Sequence, residues 1–268
     1  MRKSKMIGIS TAIVLAAMVT TACAGPAPSG GAFDGDVVDT GKLTFSTSGN
    51  YAPFTFPDSS GEVTGYDVDV CSEIARGLGL EPAPVVVTFN QTIAGVEAGQ
   101  YDMACTGVAL TPQRASSTSF HVTEPTGVGG TGMVVMADSP YQSVKDLRGK
   151  RHGEASGASQ GKDVVDAVDG DIITTQYPGA AEQILALKSG RIDVFSVNAL
   201  VAAYYANKDP ELRALPPINP GSQVMVVSTK SDALRDAVNE QINKLWEDGT
   251  LATLQKKYFG EVQERPKN

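Results

Sequence analysis

Thr111-Pro112-Gln113-Arg114 carries the clearest chemistry in this sequence. A threonine that can cap a helix, a proline suited to the first helical position and an arginine in the first turn offer backbone N–H groups and a guanidinium fork to one anion. That is the pattern of a carboxylate site. Other chemistry is scarce. Two histidines (His121, His152) and three cysteines (Cys23, Cys71, Cys105) are widely spaced, without the CxxC, HExxH or paired-histidine pattern of a zinc site, so no metal or other cofactor is expected. Gly157 to Gly161-Lys162 encloses three residues where a P-loop needs four, and Asp163 follows where Ser or Thr is required. Asp67-Val68-Asp69 lacks the rest of a calcium loop and reads as a helix start. The formal charge is −8 over 268 residues, which argues against a nucleic-acid partner because phosphate binding needs a basic face. These counts favour binding over catalysis.

The elements that must position this chemistry alternate along the chain. Lys42–Ser46 reads as a strand, Asp67–Leu78 as a helix with Val70, Ile74 and Leu78 four apart, Val85–Phe89 as a strand, and Thr92–Ala98 as a helix stopped by Gly99. The second half repeats the plan: a strand over Lys150–Gly153, a helix over Gly161–Val168, a strand over Ile172–Tyr177, and a helix over Ala180–Lys188 stopped by Gly190. Such alternation predicts an α/β fold with parallel strands joined by helical crossovers. The repetition extends to letters. IAGVEAGQYDM (93–103) lies over ILALKSGRIDV (184–194), and GKLTFSTSG (41–49) over GKRHGEASG (149–157). Each copy sets a Ser-Gly loop at the carboxyl end of its first strand, where open α/β sheets bind ligands. Two such units facing each other would form a cleft. Val224–Ser228 reads as a further strand. Leu234, Val238, Ile242 and Leu245 line one helix face, and a last helix ends near Phe259-Gly260.

Residues 1–22 have a basic start (Arg2, Lys3, Lys5), an apolar run from Ile7 to Val19 and a small-residue end. The run is too short to span a bilayer and suits a signal peptide. Cys23 follows directly, so the segment resembles a bacterial lipoprotein signal in which that cysteine is lipidated, with ordinary cleavage as the alternative because Thr20 stands where leucine is usual. Residues 23–41 read as a flexible tether. Positions 1–33 hold three basic and no acidic residues, so removing them leaves 19 basic side chains against 30 acidic, a formal charge of −11. With Cys23 lipidated, Cys71 and Cys105 are an even pair in an oxidising compartment, which predicts a disulfide between a helix and a strand. Two buried free thiols are the alternative.

GNYAPFTF (49–56), GYDVDV (65–70), EAGQYDMACTGVALTPQR (97–114), KSGRIDV (188–194) and WEDGTLATLQKKYFG (246–260) run in order across nearly the whole mature chain. Together they resemble the substrate-binding proteins of polar amino-acid ABC importers, solute-binding protein family 3, with the type II periplasmic-binding-protein fold. The resemblance implies two Rossmann-like lobes, 42–127 plus 224–262 and 132–219, with a tail over 263–268. Two crossings join the lobes, and a ligand cleft lies between them. It implies a monomer, exported and anchored by lipid to the outer face of the cytoplasmic membrane or periplasmic, that closes on a small carboxylate ligand, amino-acid-like, and docks on the permease subunits. Carried over residue by residue, Arg114 grips the ligand carboxylate with Thr111 and with backbone donors near Ala109 and from Gly157-Ala158-Ser159-Gln160. Tyr51 and Phe89 sandwich the ligand side chain, and Gly107, Ser48 and Asn198 complete the binding set.

Three departures qualify this picture. Asn198 stands where the family commonly has the aspartate that pairs with the ligand's ammonium, so an ordinary amino acid is held less well unless another group, such as Glu154, compensates. Ser48 and Ala155 replace charged partners found in binders of cationic ligands or glutamine. Phe120-His121-Val122-Thr123-Glu124-Pro125 alters an FSDPY-like segment of the family. The alternative function is a cyclohexadienyl-dehydratase-like enzyme on the same fold, with Glu154 or Glu182 as its general acid.

Overall fold

The computed structural model describes residues 33–266; the leader, Cys23 and the first part of the tether lie outside the described residues. The first lobe is built from β1 (Lys42–Thr47), a small hairpin of β2 (Phe56–Pro57) and β3 (Val63–Thr64), α1 (Tyr66–Gly77), β4 (Glu81–Val86), α2 (Phe89–Glu97), β5 (Met103–Ala109), α3 (Pro112–Ala115) and β6 (Phe120–Val122). β7 (Gly127–Met136) crosses to the second lobe. There follow β8 (Arg151–Ala155), α4 (Gln160–Ala167), β9 (Ile173–Tyr177), α5 (Ala180–Lys188), β10 (Val194–Asn198) and α6 (Ala199–Lys208). β11 (Leu212–Ser228) returns the chain, and α7 (Asp232–Glu247) and α8 (Thr250–Phe259) pack on α1.

One large sheet runs β4-β1-β5-β11-β7-β10-β8-β9, with β6 beside β11. Within each lobe the outer strands are parallel. β7 and β11 pair antiparallel at the centre and serve both halves. The apolar residues four apart on α1 (Val70, Ile74) and α7 (Leu234, Val238, Ile242) are fully buried in one core with Leu43 and Phe45. Cys71 on α1 and Cys105 on β5 form the expected disulfide.

The internal repeat has a structural meaning. Asp102, just before β5, accepts the backbone N–H of Thr44 at 2.8 Å, and Asp193, just before β10, accepts that of Arg151 at the same distance. Each aspartate ties the start of a central strand to the first strand of its lobe. Against those central strands, Phe45 faces Met103 and His152 faces Val194. The matching letters of 41–49 and 149–157 therefore slide by one residue in three dimensions.

Several sequence-based expectations change. Phe89 does not end a strand; it opens α2, behind Thr88, whose N–H is 3.2 Å from Gln91 Oε1 in a Thr-x-x-Gln capping box. The strand lies earlier, over 81–86, despite Pro82 and Pro84. Glu81 donates to the Gly41 carbonyl just before β1 and Val87 to that of Thr47 at its end, so the even positions, prolines included, face the free edge, where a missing N–H costs nothing. β11 begins twelve residues before Val224. Its prolines 216, 217 and 220 fall where the register with β7 shifts, between Leu215 and Ile218 and between Ile218 and Gly221. The chain from Phe33 to Gly41 is docked rather than free: Val37 is buried and the Val38 N–H donates to Asp102 at 2.8 Å. The tail docks as well, with Gln263 Oε1 accepting the Val128 N–H at 3.3 Å. Among the described residues no helix is long and apolar enough to cross a membrane, and no group of three or more His, Cys, Asp or Glu could hold a metal.

Candidate functional site

The carboxyl ends of β1, β5, β8 and β10 face one another across the cleft, and three neighbouring compartments lie between them. The innermost is bounded by Ser48, Asn50, Tyr51, Phe89 and Gly107 from the first lobe and by Ala155, Ala158, Gln160, Gly179, Ala180, Ser196 and Val197 from the second. No charged side chain lines it. The middle compartment, lined by Ala109, Thr111, Ser159, Gln160 and Asp163 together with Thr131 and 219–222 of the crossings, shares Gln160 with the first. The outer one adds Arg114, Gly157, Lys162 and Asp166 and shares Thr111, Ser159 and Asp163 with the middle. The cleft thus grades from aromatic and uncharged to ionic.

Arg114 is positioned locally. Thr111 Oγ1 accepts its backbone N–H at 3.2 Å, as a capping threonine should. Helix α3 has only four residues, so it adds little macrodipole, and the guanidinium, rather than a helix terminus, supplies the positive charge. Its Nη1 donates to the Ala109 carbonyl at 2.8 Å and its Nη2 to the Gly157 carbonyl of the opposite lobe at 3.2 Å. The Ala109 C=O thus helps to hold the arginine in place. Burial lowers the Arg114 pKa, yet a guanidinium stays charged, and three of its five N–H groups remain for a ligand.

Tyr51 and Phe89 both bound the inner compartment. Gly107, left-handed at φ 69°, lets Tyr51 come close: a Cβ there would stand 2.6 Å from the ring. Its N–H is taken by Asp67, whose other oxygen accepts Gln223 Nε2 at 2.6 Å. Burial pushes the Asp67 carboxyl up to about 7. The Tyr51 hydroxyl accepts the Asn198 backbone N–H at 2.8 Å, a second hydrogen bond between lobes. Ser48 Oγ accepts from Thr106 at 2.8 Å.

Asn198 is a correction. It lines none of the three compartments. Its Oδ1 caps α6 by accepting the Leu200 N–H at 2.9 Å, and its fully buried Nδ2 has no hydrogen-bond partner. The remaining proposed positions, Ser48, Tyr51, Phe89, Gly107, Ala109, Thr111, Arg114, Ser159 and Gln160, all border the cleft. Glu154 does not compensate: it is turned to Gly161 and accepts Gln176 Nε2 at 3.3 Å. Sequence reasoning missed Asp163, Ser196 and the α5 entry Gly179-Ala180. His152, buried and pushed down to about 4 by that burial, stands 2.9 Å from Ser196 Oγ and 3.2 Å from Thr174 Oγ1.

Residues 43–261 match the family of bacterial extracellular solute-binding proteins, family 3. The chain belongs to this family. Relatives of this solute-binding protein include a probable amino-acid ABC transporter-binding protein of Haemophilus influenzae, 28% identical over 84% of this chain and 89% of its own length. The probable amino-acid-binding protein YxeM of Bacillus subtilis is 30% identical over 94% of this chain and 95% of its own. Among solved structures, the amino-acid ABC transporter substrate-binding protein AbpA of Streptococcus pneumoniae, bound to L-arginine, superposes with a TM-score of 0.75 at 27% identity, covering 84% of this chain and 97% of that one.

Proposed function

We propose that this solute-binding protein is the extracytoplasmic component of an ABC importer that captures a small carboxylate-bearing ligand, an amino acid or amino-acid derivative, and delivers it to the permease. Lobes 42–127 plus 224–262 and 132–219 close about β7 and β11. Cys23 carries the lipid that holds a monomer at the outer face of the membrane. The observation that carries this reading is Arg114, a cation reaching across the cleft beside a compartment of rings and uncharged groups. The carboxylate goes to Arg114, and the rest of the ligand lies between Tyr51 and Phe89. The relatives' names and the arginine-bound neighbour support the class of ligand. The inner compartment, without an acid, argues against arginine itself, because a guanidinium moved there would lose water without gaining a counter-charge.

A thermal-shift screen of the mature protein against the standard amino acids, opines and hydroxy acids tests this. A true ligand at a hundredfold excess over its Kd stabilises by about 2.7 kcal/mol. L-Arginine is expected to shift the midpoint less than a neutral amino acid, and Arg114→Ala to weaken the best ligand by roughly 2 to 5 kcal/mol. If no carboxylate shifts the midpoint, the reading is lost. The dehydratase-like alternative needs a carboxylic acid in the inner compartment, and neither Glu154 nor Glu182 lines it. Turnover of prephenate would revive it.

A further inference from the structure

The cleft has a place for a carboxylate and a place for an uncharged side chain, but Asn198 does not provide one for an ammonium group. The acids around the cleft can be taken in turn. Asp67 lies beneath Gly107 with both oxygens bonded inside the protein. Glu154 is turned to Gly161 and Gln176, and Asp166 is ion-paired with Lys162. Asp163 differs from these. It borders the middle compartment with Ala109, Thr111, Ser159 and Gln160, and the outer compartment with Arg114. One of its oxygens accepts the hydroxyl of Thr131, while the other has no protein partner among the described residues.

A second observation points to the same space. Gln160, the first residue of α4, is 5% exposed and borders both the inner and the middle compartment. Its side-chain amide makes no hydrogen bond among the described residues. Its amide atoms are not among the fully buried polar atoms, so in a side chain that is otherwise buried the amide stays open to the cleft, where a ligand can meet it. The order along the cleft is therefore Arg114, then Asp163 with Gln160, then the rings. An α-amino acid carries its carboxylate, ammonium and side chain on one tetrahedral carbon, so three adjoining compartments that share Gln160, Thr111, Ser159 and Asp163 can receive the three groups at once.

We propose that Asp163 receives the ammonium group of the ligand, with the Gln160 side-chain oxygen as a second acceptor, in place of the acid missing at position 198. This rests on the amino-acid reading above and narrows it to free zwitterions with uncharged side chains. Asp163 also has the right mechanical place. Thr131, which holds it, lies on β7 opposite Ile218, where the crossing strands shift register. An ammonium drawn to Asp163 while the carboxylate is held by Arg114 engages both lobes, which is what a ligand must do to favour the closed state.

Calorimetry tests this with L-glutamine, L-leucine and L-phenylalanine, each beside its N-acetyl form, on the wild type and on Asp163→Asn. The wild type is expected to bind the best of the three at least tenfold more tightly than its N-acetyl form. Asp163→Asn should lose at least tenfold for the free amino acid while leaving the N-acetyl form within threefold. If the variant keeps its affinity within threefold, or the wild type holds both forms equally, Asp163 is not the ammonium partner and the amino-acid reading stands without it. If neither these three nor any other standard amino acid binds the wild type, the wider reading falls and this assignment with it. The comparison of the two ligand forms on the wild type needs no variant to fold.

Discussion

Asp67 shows how a single buried group sets a property of the whole chain. It sits at the start of α1, fully buried, and joins Gly107 on β5 to Gln223 on β11. Its carboxyl is raised from 3.8 to about 7 by burial, so between roughly pH 4 and 7 the folded state keeps a proton that the unfolded chain has lost. Stability from this group is full below about pH 4 and declines as pH rises through that window, by about 1.4 kcal/mol per pH unit. His152 acts with the opposite sign. Its folded value of about 4 lies below the usual 6.5, so stability is lost as pH falls from 6.5 towards 4. In the wild type the two slopes nearly cancel over the shared window. Asp67→Asn removes one of them, and Gln223 Oε1, buried without a partner, can turn to accept from the new amide. Urea unfolding at pH 4.5, 5.5, 6.5 and 8 should show the variant gaining on the wild type as pH rises to 7. Parallel profiles would refute the assignment of the raised group.

Among the elements, the pair α1 and β5 bears most on the site, because β5 ends in Gly107 and Ala109 while α1 supplies Asp67. The Cys71–Cys105 bridge ties them over a separation of 34 residues. Closing a loop of that size in the unfolded chain contributes roughly 4 kcal/mol on the chain-entropy account. Replacing both cysteines by alanine should therefore lower the urea midpoint markedly. Neither cysteine borders the cleft, so affinity for the ligand should stay within about threefold of a wild-type value, well under the 1.4 kcal/mol that a tenfold change represents. A loss of affinity as large as the loss of stability would mean that the bridge shapes the site directly. The edge strands teach a different lesson. β4 takes two prolines because only one of its edges is paired, and β11 takes three because they coincide with its register shifts. Rules that demote proline-containing runs miss both strands for that reason.

At the scale of the whole molecule, the two lobes meet through few polar contacts, and two of them involve proposed ligand residues: Arg114 to the Gly157 carbonyl and Tyr51 to the Asn198 N–H. The inner compartment is narrow in this arrangement, about 20 Å³, room for about one water. An amino-acid side chain can enter only when the lobes part. Tyr51→Phe would leave the Asn198 N–H without its partner in the closed state alone, at a cost of about 1 to 3 kcal/mol. The expected result is a larger radius of gyration in small-angle scattering without ligand, and affinity weakened about tenfold, with the urea midpoint little changed. If radius and affinity both match the wild type, this bond does not contribute to closure.

Much of this was legible from local signals. The four-residue spacing on α1 and α7 identifies the buried faces, the glycine stops mark where helices end, and Thr111-Pro112-Gln113-Arg114 reads correctly as a capped turn carrying a cation. The repeat around Asp102 and Asp193 points to two similar halves because each aspartate answers a backbone N–H at the same place in its own lobe. What neighbouring residues cannot encode is which side chains meet across a cleft formed by distant segments. Only the tertiary structure turned Asn198 away to cap α6, closed Arg114 onto Gly157, and brought Asp163 and Gln160 into the middle of the cleft. The reason is physical: periodicity and capping depend on interactions within a few residues, whereas the composition of a cleft depends on how two packed lobes are oriented, and that is decided by the crossing strands and the core beneath them.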